Sequence, residues 1–177
     1  MLKLRGLLEK IGSMISWTVW KAMNGLTLQL VAGNTGLRAI KFGEAESDGT
    51  DEGDAHPVLQ AAIYQLSAYF AGSLREFDLP LEITGTDFQM RVWRLLREIP
   101  YGETRSYRDL AVALSNPRAV RAVGAANGAN PLPVIIPCHR VIGANGSLVG
   151  YGGGLQLKKR LLEFERLATG GAAGLLW

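Results

Sequence analysis

Three prolines, Pro131, Pro133 and Pro137, lie close together and forbid a helix across the residues they span. Each fixes its own φ at about −65°, lacks an amide N–H and pushes the preceding residue out of the helical region. Asn130–Pro137 is therefore expected to run extended. Six glycines then crowd Gly143–Gly154, which reads as a loop near that segment. Between the two stands Pro137-Cys138-His139-Arg140-Val141.

Cys138 is the single cysteine of a 177-residue chain, and there are two histidines, His56 and His139. An intrachain disulfide is impossible, and a four-ligand zinc site of Cys and His alone is excluded. A reduced, cytoplasmic protein is expected. No run of about 18 apolar residues is present, which excludes a membrane helix. The start, MLKLRGLLEK, breaks any signal-peptide core with Lys3, Arg5, Glu9 and Lys10. The length suits one domain or two small ones.

Charge divides unevenly. Residues 1–86 hold 7 Lys and Arg against 10 Asp and Glu, net −3, whereas residues 87–177 hold 12 against 6, net +6. A basic second half suits a polyanionic partner, or equally a solvated basic face.

The elements fall into two parts, 1–85 and 86–177. Residues 1–13 read as a short amphipathic lead, with Leu4, Leu7, Leu8 and Ile11 at helical spacing. Leu26–Ala32 and Leu37–Phe42 are predicted strands, joined as a hairpin by Gly33-Asn34-Thr35-Gly36. Glu44–Asp54 is an acidic loop. Pro57–Phe70 is predicted helical, with Leu59, Ile63, Leu66 and Phe70 inward, Pro57 in the first turn and Gly72 as the stop. Phe77–Ile83 reads as a further strand interrupted by Pro80. In the second part, Thr86 or Asp87 caps a helix to Arg97 with Phe88, Val92, Leu95 and Leu96 as its apolar face. Ser106 caps a helix over Tyr107–Ser115. Pro117 opens another to Gly128, and the pair outlines a helix-turn-helix. Gln156–Leu167 forms a last basic helix before a frayed tail, Ala168–Trp177.

A thiol is a nucleophile only as thiolate, so it needs a base or cation nearby. His139 follows Cys138 directly, but adjacent side chains of an extended segment point to opposite faces. Contact between them would need a sharp bend or a water relay. The ordinary alternative for a lone cysteine is a small buried hydrophobe.

Pro137-Cys138-His139-Arg140-Val141, preceded by Asn130-Pro131 and followed by Tyr151-Gly152-Gly153-Gly154-Leu155, resembles the active site of the O6-alkylguanine-DNA alkyltransferases. Phe88, Val92-Trp93, Ile99-Pro100-Tyr101-Gly102, Ser106-Tyr107 and Arg121-Ala122-Val123-Gly124 are similar to the family in order and spacing. The resemblance is close over 86–167 and looser over 15–85. It implies an α+β protein: an N-terminal RNase H-like α/β domain, then a mainly helical, winged-helix-like domain carrying the helix-turn-helix. It further implies direct repair of duplex DNA. The alkyl group of O6-alkylguanine, and of O4-alkylthymine, passes to Cys138 in one self-inactivating turnover, with no cofactor, by a monomer.

Roles then follow from the resemblance. Cys138 is the acceptor, His139 its base through a water, and Glu165 the carboxylate orienting the imidazole. Tyr107 donates to the flipped base, and Asn130 ties the recognition helix to the active-site segment. Tyr107, Val141, Tyr151, Gly152 and Gly153 line the pocket. Arg121 enters the base stack, with Ala119, Ala122, Gly124, Ala125 and Ala126 as a small-residue face toward the minor groove. A groove about 6 Å wide admits such a face; close helix–helix packing explains the same residues. Cys and His ligands for the structural zinc of some relatives are missing, so no metal is expected, and Gly152 stands where some relatives have serine. The competing functions are damage binding without transfer, which Cys138 opposes, and a thiol hydrolase, which would need no helix-turn-helix.

Overall fold

The computed structural model describes residues 15–22, 25–43 and 56–170. The predicted lead 1–13, the acidic loop 44–54 and the tail beyond residue 170 lie outside them. The chain divides into two units, Met1–Ile83 and Thr84–Trp177, two residues earlier than the boundary expected from sequence.

The first unit is built on a three-stranded antiparallel sheet, β1 (Ser16–Lys21), β2 (Thr27–Ala32) and β3 (Leu37–Phe42), in that order. β1 was not anticipated. It pairs along its whole length with β2, from Ser16 opposite Ala32 to Lys21 opposite Thr27. The β2–β3 hairpin is as expected, closed by Gly33 N donating to Gly36 O at 2.9 Å. A Cβ on Gly36 would stand 2.5 Å from Pro80 O, so only glycine lets the turn meet the 80–82 backbone. That backbone is not a strand. It makes a single bridge, Leu81 to Leu37, because proline at position 80 has no N–H to extend a ladder. Helix α1 (Pro57–Phe70) covers the sheet with Leu59, Ala62, Leu66 and Tyr69 buried. The apolar stripe is thus turned slightly from the expected one. Ile63 and Phe70 are only half-buried, while Tyr69 packs against Phe77 with ring centroids 5.4 Å apart.

In the second unit, α2 (Asp87–Arg97) opens with a capping box: the Thr86 hydroxyl accepts from Gln89 N, and the Gln89 side chain accepts from Thr86 N. The short strand β4 (Arg105–Ser106) leads into α3 (Tyr107–Ala113), capped in the same way by Ser106 and Asp109. Helix α4 spans Val120–Gly128. It starts three residues later than expected because Ser115, at φ 57°, and a turn over 116–119 occupy the space between the helices. α4 packs against both α2 and α3, and Trp93 Nε1 donates to Ala126 O at 2.8 Å. A single 3₁₀ turn, Cys138–Arg140, runs into β5 (Val141–Ile142), which pairs parallel with β4. Residues 143–153 form the expected glycine loop, and α5 (Gly154–Ala168) closes the unit. No helix among the described residues is long and apolar enough to cross a membrane.

Candidate active site

The segment before Cys138 is not extended. Val134 adopts φ 75°, Ile136 N donates to Leu132 O at 2.8 Å, and Pro133 bridges to Ile136. Prolines exclude a helix here but leave a tight reversal open. A β-branched residue at positive φ is strained. Two features hold it: Val134 is buried, and Asn130 clamps the reversal from both sides. Asn130 Nδ2 donates to Ile136 O at 2.8 Å, and its Oδ1 accepts from Leu132 N at 3.0 Å. Asn130, just beyond α4, therefore joins that helix to the residues leading into Cys138.

Cys138 opens the 3₁₀ turn and is 5% exposed. With three residues per turn, neighbouring side chains diverge by about 120° rather than pointing to opposite faces. The two side chains therefore diverge less than they would on an extended segment. Burial pushes the Cys138 thiol above its ordinary pKa, opposed by a hydrogen bond with Asn130 and by the charge of Lys158.

His139 is wholly buried, and its Nε2 lies 2.9 Å from Glu165 Oε1. A carboxylate can only accept, so Nε2 carries the proton and Nδ1 is left as an acceptor. Nδ1 has no hydrogen-bond partner among the described residues. Burial holds the imidazole below its ordinary pKa, against the pull of Glu165. The neutral ring, proton fixed on the far nitrogen, is the form a general base requires.

Glu165 is not the exposed helix residue that its position alone allowed; it is fully buried. Arg140 Nε and Nη2 meet its two oxygens at 2.9 Å each, and Gly102 N donates to Oε2 at 3.1 Å. Burial alone would raise this carboxyl, but His139 and Arg140 outweigh it and hold it well below the usual carboxylate range. Arg140 also donates through Nη1 to Ile99 O at 2.6 Å and stands over the Tyr101 ring at 5.6 Å. Arg140 was not among the expected site residues, although it lies inside the motif.

Tyr107, at the start of α3, is half-buried, and its hydroxyl donates to Val149 O at 3.2 Å. Tyr151 meets the His139 ring edge-on at 6.4 Å. Val141 is fully buried behind the 3₁₀ turn, while Gly152 and Gly153 lie in the loop leading to α5. On α4, Arg121, Ala122 and Ala125 are exposed. Gly124 faces Tyr107, where a Cβ would stand 3.9 Å from the ring, and Ala119 is half-buried at the helix start. Ala126 departs from the expected outward face. It is buried, because its side of the helix packs on α2 beside Trp93. The small residues of this helix therefore serve two surfaces, one packed and one open.

Lys158 was missed altogether. It is fully buried, and its Nζ donates to Val149 O at 2.8 Å. The signal was present: Lys158, Leu161, Leu162 and Glu165 share one helical stripe, which places two charged residues on the buried face of α5. Among the described residues, no three His, Cys, Asp or Glu side chains come together as a metal group.

Two family profiles match the chain. Residues 27–83 match "6-O-methylguanine DNA methyltransferase, ribonuclease-like domain", and residues 87–167 match "6-O-methylguanine DNA methyltransferase, DNA binding domain". A methylated-DNA–protein-cysteine methyltransferase of Methanosarcina barkeri is 49% identical over 140 residues, covering 77% of this chain and 89% of that protein. The Mycobacterium tuberculosis protein of the same name is 61% identical over 109 residues, which are 62% of this chain and 66% of the relative's length. The crystal structure of Mycobacterium tuberculosis OGT in complex with DNA superposes with a TM-score of 0.78 at 44% identity, covering 86% of this chain and 94% of that one. With both halves matched and the cysteine, histidine and glutamate assembled as described, the chain belongs to the 6-O-methylguanine DNA methyltransferase family.

Proposed function

We infer that this protein repairs duplex DNA by taking the alkyl group of O6-alkylguanine, and of O4-alkylthymine, onto Cys138. The observation that carries this reading is the buried row Cys138, His139, Glu165, with His139 Nε2 engaged and Nδ1 available. The thiol proton leaves through a water to Nδ1. The thiolate attacks the alkyl carbon, the Sγ–C bond forms, and the C–O6 bond breaks with its electron pair going to the guanine. Tyr107 donates a hydrogen bond to the base as that charge develops, and the proton held by His139 finally neutralises it. A thioether offers no easy exit, so each chain reacts once. The reaction needs no cofactor.

A base inside a duplex cannot reach a buried thiol, so the nucleotide leaves the stack at a cost of a few kcal/mol. The open face of α4, with Ala122 and Ala125, suits a minor groove about 6 Å wide, and Arg121 beside it fills the vacated place. Minor-groove information is degenerate, which suits damage in any sequence context. The protein acts as a monomer in the cytoplasm. The deciding experiment mixes excess duplex carrying labelled O6-methylguanine with the protein. One methyl per chain, located on Cys138, is expected; sustained turnover, or label on another residue, overturns the reading.

A further inference from the structure

Helix α2 donates to both helices of the helix-turn-helix at their C-terminal ends. Arg91 Nη2 reaches Leu114 O at 3.2 Å, just past α3, and Trp93 Nε1 reaches Ala126 O at 2.8 Å in the last turn of α4. Carbonyls of a last turn lack partners within their own helix. Ala126 O has a natural candidate even so: in a helix that wound on, Asn130 N, four residues later, would donate to it. Here Asn130 N donates to Asn127 O instead, three residues back, at 3.3 Å. Pro131 keeps Asn130 itself out of the helical region but leaves its N–H a choice between the two carbonyls. The Asn130 side chain then bonds Ile136 O through Nδ2 at 2.8 Å, and the amide of Cys138 ends on that same oxygen at 2.7 Å. The nucleophile's own N–H and the Asn130 clamp thus meet at one carbonyl. The indole is fixed from its other edge as well. Trp93 is buried, and a Cβ on Gly85 would stand 2.7 Å from its six-membered ring, so a side chain at position 85 would displace it.

We propose that Trp93 is a positioning residue for Cys138: by occupying Ala126 O, its indole N–H ends α4 short of Asn130 and leaves Asn130 to hold the reversal at Ile136. That this serves alkyl transfer rests on the proposed function; that it orders residues 130–138 rests on the geometry alone. Without the indole N–H, Ala126 O is a buried acceptor that must find another donor. The Asn130 amide supplies it by turning from Asn127 O to Ala126 O. The last turn of α4 then shifts, and the Asn130 side chain is drawn off Ile136 O and Leu132 N together.

The test is Trp93→Phe, which keeps an aromatic ring and loses the donor. Hydrogen exchange over residues 130–138 is followed by mass spectrometry, with O6-benzylguanine transfer and thermal unfolding measured beside it. The amides of Leu132, Ile136 and Cys138 are expected to exchange about tenfold faster, the worth of one buried hydrogen bond, while those of α2 keep their protection. Transfer, measured well below the melting temperature, is expected to slow by a similar factor. A ring that merely filled the interface would lower the melting temperature and leave the rate of the folded protein unchanged. In Asn130→Ala the clamp is already gone, so adding Trp93→Phe should slow transfer no further. If Trp93→Phe does not fold, Gly85→Ala, which keeps the donor but displaces the ring, carries the comparison. Unchanged exchange over 130–138 overturns the proposal, as does a full, independent loss of transfer from Trp93→Phe in the Asn130→Ala background. Failure of benzylguanine transfer in the wild type would overturn the proposed function and leave exchange over 130–138 to decide the ordering.

Discussion

His139 Nε2 and Glu165 Oε1 are 2.9 Å apart, and solvent reaches neither side chain. The same carboxylate receives the fork of Arg140, so a base and a permanent cation share one buried anion. The anion sets the tautomer of the base, and the cation keeps the anion charged.

Glu165→Gln tests that division of labour. The amide keeps the volume but offers one acceptor oxygen where Arg140 and His139 need two. The imidazole is then free to take the other tautomer. Transfer to Cys138 is expected to slow by about 10²–10⁴-fold, the usual worth of a positioned base. Removing one partner of a buried ion pair costs about 3–5 kcal/mol, so the melting temperature falls as well. Single-turnover transfer and thermal unfolding of the variant measure both. A rate within a few-fold of wild type would remove Glu165 from the relay.

The pH dependence has a definite sign. His139 has a folded pKa below its ordinary value, so the native state prefers the neutral ring more than the unfolded chain does. Its contribution to stability is full above about pH 6.5 and fades as pH falls toward the folded value. Glu165, held low, contributes fully above about pH 4.3 and loses that contribution in more acid solution. The two therefore act in the same direction, and acid destabilises the second unit. The acid limb of the benzylguanine transfer rate should have its midpoint below pH 6.5, because His139 stays neutral there. A midpoint above 6.5 would contradict the buried neutral base.

Ala125 and Ala126 are consecutive and chemically alike, yet one is exposed and the other packed beside Trp93. Ala126→Leu forces extra volume into a filled interface and should cost about 1–3 kcal/mol of stability. Ala125→Leu should leave the melting temperature nearly unchanged and weaken binding to duplex DNA, because it widens the face proposed for the groove. Unfolding curves and duplex titration of the two variants make the comparison. Equal binding by Ala125→Leu and the wild type would send the DNA to another surface.

What sequence reasoning could reach was set by distance along the chain. The helix caps at Thr86, with Asp87 as the alternative, and at Ser106, together with the Gly33–Gly36 turn, are local chemistry and were legible, although the reciprocal bonds from Gln89 and Asp109 were not read. β1 gains its identity from pairing with β2, and the Asn24-Gly25 pair between the two was a turn signal left unread. The reversal at Val134 was hidden because a valine at positive φ contradicts its own preference and is imposed by Asn130 and burial. Cys138, His139 and Glu165 came from motif resemblance. Lys158 belonged to no quoted motif and needed only the helical stripe, read for charge instead of for leucine.

Arg121 separates flipping from chemistry. It is exposed on the first turn of α4, beside Ala122 and Ala125. Its planar head can stack or hydrogen-bond with what the departing guanine leaves behind, whereas lysine offers only a point charge. Filling the gap offsets part of the flipping cost and keeps the partner base from collapsing inward. Arg121→Ala should therefore slow transfer from methylated duplex by about 10-fold or more, the equivalent of roughly 1.4 kcal/mol. Free O6-benzylguanine needs no flipping and should react at the wild-type rate. A simple phosphate contact behaves otherwise: Arg121→Lys would preserve most function, and the loss in Arg121→Ala would shrink at low salt. The measurement is the second-order transfer rate of Arg121→Ala and Arg121→Lys on both substrates at two salt concentrations. Equal slowing on duplex and free base would make Arg121 a support of the pocket or the fold and end its role in the flipped state.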